Sequence, residues 1–183
     1  TVWGSQGRTS DGDDWITVPA KVTAGLSALT EYAWVKTTDA SSTYQFLNDY
    51  TSDTDVSARL DIVDVAGTGT WKISVGLKGA TTAWNYAAST TTTLAYGAWY
   101  LIGFSWDGAT RTFYVNGLAD GTAAYSDTSL LAAPTENMAI GRHYGGTTLR
   151  YQGVNGEVGA FSQDKSAAWW WNLYQTTLGR YAV

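Results

Sequence analysis

Apolar and polar residues alternate along several short stretches of the chain. The clearest is 71–78, where an apolar side chain stands at every second position and Lys, Ser or Gly stands between. A period of two is typical of a strand with one buried face. Gly, Ser, Thr and Asp separate similar segments at roughly ten-residue intervals, which predicts an all-β sandwich or jelly roll. The similar segments are Trp15–Val18, Leu29–Lys36, Tyr44–Tyr50, Val56–Val63, Trp84–Tyr86, Asn137–Gly141 and Val154–Phe161.

Between Ala98 and Gly117 the sequence predicts a β-hairpin. A strand over Ala98–Trp106 precedes an Asp-Gly turn, and a second strand follows over Arg111–Val115. Asn116 and Gly117 follow the second strand, and both residue types tolerate the positive φ of a type I′ turn. This stretch alone indicates an antiparallel β protein.

A segment near the C-terminus breaks the pattern of strands. Asp164 or Ser166 can cap a helix, and two alanines follow. Trp170, Leu173 and Tyr174 have the i, i+3, i+4 spacing of one helix face. We therefore predict one short helix, ending near Tyr174, that packs on the sandwich.

Length and composition narrow the class of protein. The chain has 183 residues, enough for one domain, 1–183, with a sizeable core. The net charge of −5 argues against binding to nucleic acid or anionic lipid. The chain has no Cys, so it has neither disulfides nor a thiolate metal site, and it contains no apolar run long enough to span a membrane. It begins at Thr1, so either a leader was removed or this is one domain of a longer polypeptide.

Several short motifs follow one another along the chain, and together they extend over nearly all of the sequence before the predicted helix. They are Asp11–Pro19, Leu29–Lys36, Gly97–Phe104, Trp106–Gly108, Phe113–Gly117, Met138–Gly141 and Gly156–Val158. In this order they resemble the laminin-G-like branch of the concanavalin A-like lectin/glucanase superfamily. The resemblance implies a two-sheet antiparallel jelly roll that binds glycans or proteins on secreted, cell-surface or viral proteins.

Catalysis is the function that the sequence supports least. Glycosidases of the superfamily carry two Glu on one strand, four residues apart with an Asp between. The glutamates here are far apart: Glu31, Glu136 and Glu157. Asp61 and Asp64 are three apart and face opposite sides of a strand, whereas Arg59 and Asp61 share a side and are expected to form a surface pair. The chain also lacks a Gly-x-Ser-x-Gly elbow. A polysaccharide hydrolase or lyase stays an alternative only because the superfamily contains such enzymes.

Calcium is a possible ligand that the resemblance implies. Many members hold one ion with Asp ligands near the opening segment and an Asp in the late strand. Asp11, Asp13 and Asp14 offer the hard oxygens that calcium prefers. The late position is Gly159 here, however, and turn chemistry also explains Asp-Gly-Asp. We expect no required cofactor.

Glycan recognition is the leading hypothesis, because sugars stack on exposed aromatic rings and hydrogen-bond to polar neighbours. Aromatic residues in loops are more often exposed than those within periodic strands, and by that rule the predicted platforms are Trp84, Tyr86, Tyr144 and Tyr50. Their predicted polar companions are Asn48, Asp49, Asn85, Arg142 and His143. The core is predicted to include Trp34, Trp71, Trp99 and Phe113.

The same residues could instead line a protein interface, where Trp, Tyr and Arg are also enriched. The two hypotheses are therefore a non-catalytic glycan-binding or adhesion module on a cell or virion surface, and a structural decoration or fibre domain that contacts copies of itself or a scaffold. Both predict an extracellular or surface location.

Overall fold

The computed structural model describes residues 2–4, 6–11, 14–18, 22–38, 44–49, 57–64, 70–89, 93–133, 138–141 and 151–181. These residues form thirteen strands and one helix: β1 Val2–Gly4, β2 Gly7–Asp11, β3 Ile16–Val18, β4 Leu29–Thr37, β5 Tyr44–Asp49, β6 Ala58–Asp64, β7 Trp71–Leu77, β8 Asn85–Ala88, β9 Tyr100–Trp106, β10 Thr110–Val115, β11 Leu118–Ala124, β12 Met138–Ile140, β13 Gln152–Phe161 and α1 Ala167–Tyr181.

The described strands pair into two sheets. One has seven strands in the order β1-β2-β13-β4-β9-β10-β11, and the other has six in the order β3-β12-β5-β6-β7-β8. Each paired neighbour runs antiparallel. The predicted two-sheet antiparallel sandwich with one helix near the C-terminus is confirmed.

The core lies between the two sheets and follows the period of two. In β7 the alternate residues Trp71, Ile73, Val75 and Leu77 are fully buried. They belong to one cluster with inward residues of the seven-stranded sheet, including Ala33, Val35, Ile102, Phe104 and Phe113. Because successive side chains of a strand point to opposite faces, the residues between them form the outer faces of the sandwich.

The hairpin prediction is confirmed and extended. Asn116 and Gly117 have φ of 50° and 79°, both positive as a type I′ turn needs. This turn leads into β11, Leu118–Ala124, a strand that the sequence analysis did not predict. At the edge of its sheet, β11 has largely small or polar residues, so its apolar signal is weak.

The helix is longer than predicted and covers the outer face of the seven-stranded sheet. Ser166 caps it, accepting from the Trp169 N–H at 3.4 Å. Trp170 is fully buried, stacks on Tyr114 with 4.5 Å between ring centroids, and donates its Nε1–H to Ser105 Oγ at 3.0 Å. Within the described residues, the outer face of the six-stranded sheet has no helix over it.

Candidate functional site on the outer face of the six-stranded sheet

Three neighbouring strands bring charged, small and aromatic residues into one row on this face. Arg59 of β6 pairs with Gly76 of β7, and Gly76 pairs with Tyr86 of β8. One step along, Asp61 pairs with Ser74. The residues between them point into the core, so this row points outward. We call Arg59, Asp61, Trp84 and Tyr86 the aromatic–ion-pair cluster.

Trp84 lies across this row from the end of the turn before β8. Its ring occupies the space above Gly76, where a Cβ atom would overlap it. It meets Tyr86 edge to face, with ring centroids 5.0 Å apart and planes at 88°. On its other side it packs against Met138 of β12. A glycine at position 76 is therefore what allows the indole to lie on the sheet.

Arg59 and Asp61 form a buried ion pair beneath the rings. Arg59 Nε lies 3.1 Å from Asp61 Oδ2, and the two side chains are only 6% and 0% exposed. The Arg59 guanidinium carbon lies 4.2 Å from the Tyr86 ring centroid and 5.4 Å from that of Trp84. The predicted pair is confirmed, but its predicted surface position is wrong, because aromatic rings cover the outer face of β6.

Burial of this ion pair changes the pKa of the Asp61 carboxyl. Loss of water raises the pKa of the Asp61 carboxyl to about 7, although the Arg59 charge and the Ser74 hydroxyl both favour the ionised form. Asp61 therefore changes charge near neutral pH, directly under the aromatic surface. A buried charge that loses its partner is costly, so the pair also holds Arg59 in place against Tyr86.

Asn85 stands between the two aromatic residues but is engaged from inside the sandwich. Arg111 of β10 donates from Nη2 to Asn85 Oδ1 at 2.6 Å, and from Nη1 to the carbonyls of Asn85 and Val75 at 3.0 Å each. Arg111 is buried, and that burial lowers its pKa to about 10. The seven-stranded sheet thus anchors the strand that carries Tyr86.

The turn before Trp84 is held by the segment after β11. Asp127 Oδ2 accepts from the N–H groups of Thr81 and Thr82 at 3.0 and 2.7 Å. Gly79 N donates to the Tyr125 hydroxyl at 2.6 Å. Partial loss of water raises the pKa of Asp127, but the hydrogen bonds from Thr82 and Thr81 outweigh that effect and hold the pKa well below its usual value. Trp84 is therefore presented by a turn with a fixed backbone.

The predicted site residues are distributed as follows. Trp84 and Tyr86 lie together on the outer face, and Tyr86 is 39% exposed. The backbone of Asn48 and Asp49 lies in β5, between β12 and β6 of the same sheet. The remaining predicted residues lie outside the described ones: Tyr50, Arg142, His143 and Tyr144.

Sequence reasoning missed Arg59 and Asp61 as site residues. Charged residues at alternate positions of a strand normally indicate a solvated face, and no local signal shows that a ring covers them. The available hint was Gly76 among outward-facing positions, since a glycine inside a strand often marks a close approach.

The predicted calcium ligands do not complete a site in the described part of the chain. There, no three His, Cys, Asp or Glu side chains group closely enough to hold a metal ion. Asp14 lies 3.8 Å from Arg8 Nη2, Asp11 is exposed, and Asp13 lies outside the described residues. Gly159 lies against Tyr32, where a Cβ atom would overlap the ring, so the late Asp of the family could not fit this packing. Calcium binding stays a prediction, and a melting curve with and without EDTA tests it.

Two of the three glutamates are described, and they do not face each other. Glu31 is buried and alternates with core residues of β4, whereas Glu157 accepts from the Tyr32 hydroxyl at 2.5 Å and pairs with Arg180 at 3.2 Å on the helix side. They lie on opposite faces of the seven-stranded sheet. Glu136 lies outside the described residues.

Comparison with known proteins places the fold. A laminin G model described as "Concanavalin A-like lectin/glucanases superfamily" matches residues 10–169, so the chain belongs to that superfamily. No curated protein sequence matches the chain.

Three solved structures illustrate the likeness, which at these identities concerns the fold alone. The Ruminococcus gnavus IT-sialidase CBM40, bound to α2,3 sialyllactose, is 13% identical with a TM-score of 0.70, over 92% of this chain and 96% of that one. Domain 4 of AbnA, a GH43 extracellular arabinanase from Geobacillus stearothermophilus, in complex with arabinotriose, is 15% identical with a TM-score of 0.68, over 91% and 75%. The heptameric SAP-like pentraxin from Limulus polyphemus is 15% identical with a TM-score of 0.64, over 83% and 71%.

No helix in the described part of the chain has the length and hydropathy needed to cross a bilayer.

Proposed function

We propose that the chain is a non-catalytic module that binds glycans through the aromatic–ion-pair cluster. The observation that carries the proposal is the exposed Tyr86 ring beside Trp84, held on an outer sheet face that no described helix covers. A sugar presents apolar C–H groups on the faces of its ring, and these stack on Tyr and Trp side chains.

The rigidity of the cluster supports this proposal. Arg59 backs the Tyr86 ring, Asp61 holds Arg59, and Arg111 anchors the intervening Asn85. A surface that is already ordered loses little conformational entropy when a ligand binds. Hydroxyl groups of the sugar would need polar partners, and Asn48 and Asp49 on the adjacent β5 stay the predicted ones.

The similar structures support the same class of ligand. Two of them were solved with an oligosaccharide, arabinotriose in one and sialyllactose in the other. We infer that this chain likewise takes a carbohydrate and acts outside the cell, on a cell or virion surface.

The experiment is a glycan array followed by calorimetric titration of the best ligand in solution. Tyr86→Ala and Trp84→Ala should each weaken binding about fivefold or more, since stacking on an aromatic ring contributes on the order of 1–3 kcal/mol. Trp171→Ala is the matched control, because Trp171 is 45% exposed on the helix side of the sandwich. Flat arrays, or equal effects of all three variants, would count against the proposal.

Protein contact is the second candidate function, and one observation favours it. Leu118 is 62% exposed and follows Gly117, which lies against the backbone of Trp171. Leu118 also begins β11, the edge strand of the seven-stranded sheet, and the unpaired edge of a sheet can pair with another chain. Light scattering after size exclusion tests this: an oligomer that Leu118→Asp dissociates would support it, and a monomer at all concentrations would refute self-association.

A further inference from the structure

A cavity of about 350 Å³ lies between the end of α1 and the seven-stranded sheet. Its walls include Trp34 and Lys36 of β4, Ala98 and Trp99 before β9, and Leu178 and Tyr181 of the helix. It lies on the helix side of the sandwich, whereas the aromatic–ion-pair cluster lies on the other outer face. Cavities of this size that combine aromatic walls with polar groups are typical of small-molecule sites.

The aromatic walls are fixed in position. Trp34 stacks on Tyr181 with ring centroids 4.5 Å apart, and Trp99 lies 4.8 Å from Tyr181. Trp34 donates its Nε1–H to Thr177 Oγ1 at 2.9 Å, and the Tyr181 hydroxyl accepts from Glu157 N at 2.9 Å. The cavity is therefore formed before any ligand arrives.

The rim of the cavity is open at Gly97. Among the described residues beyond its chain neighbours, no heavy atom lies within 4 Å of the position where its Cβ would be. Its φ of 74° turns the chain here, so the loop bends away without filling the space. A ligand of ring size can enter at this point.

The polar groups at the cavity are hydrogen-bond donors. Lys36 is half-buried, and no carboxylate of the described residues forms an ion pair with its ammonium group. Trp99 Nε1 is buried and makes no hydrogen bond with the described residues. The nearby cation Arg180 is already paired with Glu157 at 3.2 Å. Trp99 Nε1 has almost no solvent-accessible surface, so a ligand in the cavity does not reach it, whereas Lys36 is a cation and favours an anionic ligand.

We propose that this cavity is a second binding site, which takes a small ring-shaped carboxylate. The ring packs on the partly exposed indole of Trp99, and the carboxylate pairs with Lys36. Two kinds of molecule combine a ring with a carboxylate in this way: an aromatic acid, and the uronic acid of an acidic polysaccharide. This proposal does not depend on the proposed glycan function, because it concerns different residues on another face.

The test is calorimetric titration with two probe pairs, indole-3-acetate against indole and glucuronate against glucose. At least one carboxylate should bind, and its neutral counterpart should bind about tenfold more weakly, because a hydrogen bond to a charged group contributes more than a neutral one. The pair that responds identifies the source of the ligand. Tyr86→Ala should leave this binding unchanged.

Two variants and a control locate the site. Lys36→Met keeps most of the length of the side chain without its charge and should weaken binding of the carboxylate about tenfold. Ala98→Trp, at an exposed rim position, should fill the cavity and abolish binding. Lys165→Met removes a charge at the other end of the same helix side and should not change the binding of either carboxylate.

If neither carboxylate binds, or if Lys36→Met and Lys165→Met bind equally well, the proposal is wrong. A melting curve for each variant confirms folding, and if Ala98→Trp does not fold, Lys36→Met decides.

Discussion

Arg111 of the seven-stranded sheet holds Asn85 of the six-stranded sheet across the interior of the sandwich. The guanidinium donates to both the carbonyl and the side-chain oxygen of Asn85, at 3.0 and 2.6 Å. Asn85 lies directly between Trp84 and Tyr86 in sequence, so this contact joins the core to the proposed glycan surface.

Asn85→Ala should therefore weaken both stability and binding. The substitution leaves Arg111 Nη2 without its shortest hydrogen bond in a buried place, which costs about 1–3 kcal/mol of unfolding free energy. Urea titration measures that loss. Asn172→Ala, on an exposed part of the helix, is the control and should stay within about 0.5 kcal/mol.

Arg111→Met separates positioning from direct contact. Arg111 is only 1% exposed, so a ligand on the outer face cannot reach it. We nevertheless expect weaker glycan binding than in the native chain, because β8 loses its anchor. Unchanged affinity in a folded variant would mean that the anchor does not position the surface.

Gly76→Ala should displace Trp84. The added methyl group would occupy the space of the indole ring, and such overpacking costs about 1–3 kcal/mol. Glycan affinity should also fall, because Trp84 would be displaced from its place in the aromatic–ion-pair cluster. The control is Gly179→Ala in α1, where a Cβ atom meets nothing within 4 Å and a helical alanine should add about 0.5–1 kcal/mol. A Gly76→Ala variant as stable as the native chain would contradict the described position of Trp84.

The ionisation of Asp61 predicts a pH dependence of stability. Its folded pKa, about 7, lies above its ordinary value of 3.8, so between those values the folded chain holds a proton that the unfolded chain has released. The unfolding free energy contributed by this group is therefore fully present below about pH 4 and falls as the pH rises toward 7. The fall is on the order of a few kcal/mol, since one pKa unit corresponds to about 1.4 kcal/mol.

Chemical denaturation from pH 4 to 8 measures this slope. Asp61→Asn cannot ionise, so the difference between native and variant chains should decline across that range. A constant difference would show that Asp61 keeps an ordinary pKa. Asp127 does not interfere, because its lowered pKa places its contribution below this range.

Two of the three consecutive tryptophans of the helix should differ sharply in the stability lost when each is replaced by alanine. Trp170 is fully buried against Tyr114 and Ser105, and Trp170→Ala should cost about 3–5 kcal/mol. Trp171, one residue later, is exposed, and its replacement by Ala should cost about 0.5 kcal/mol or less. Thermal or urea unfolding compares the two, and equal losses would contradict the described docking of the helix.

The class of fold followed from local signals. Three of these signals depend on residues close together in sequence: the period-two alternation in β7, the Asn116-Gly117 turn and the capped segment after Ser166. The sequence alone is therefore enough to predict them. The end of the helix was harder to predict from the sequence, because α1 continues to Tyr181, whose contact with Glu157 is a tertiary one. β11 was missed because a small-residue edge strand has little alternation to detect.

The site needed the tertiary structure for a physical reason. Trp84 and Tyr86 were predicted because aromatic residues outside regular core strands are candidates for exposure, and that inference uses local pattern alone. Arg59 and Asp61 have the alternation of a solvated strand face, and only the fold of the turn before β8 lays an indole over them. Likewise, Lys36, Trp99 and Leu178 line one cavity because a strand, a loop and a distant helix converge there. The order of residues determined which faces were apolar, but long-range packing decided which polar groups lost water.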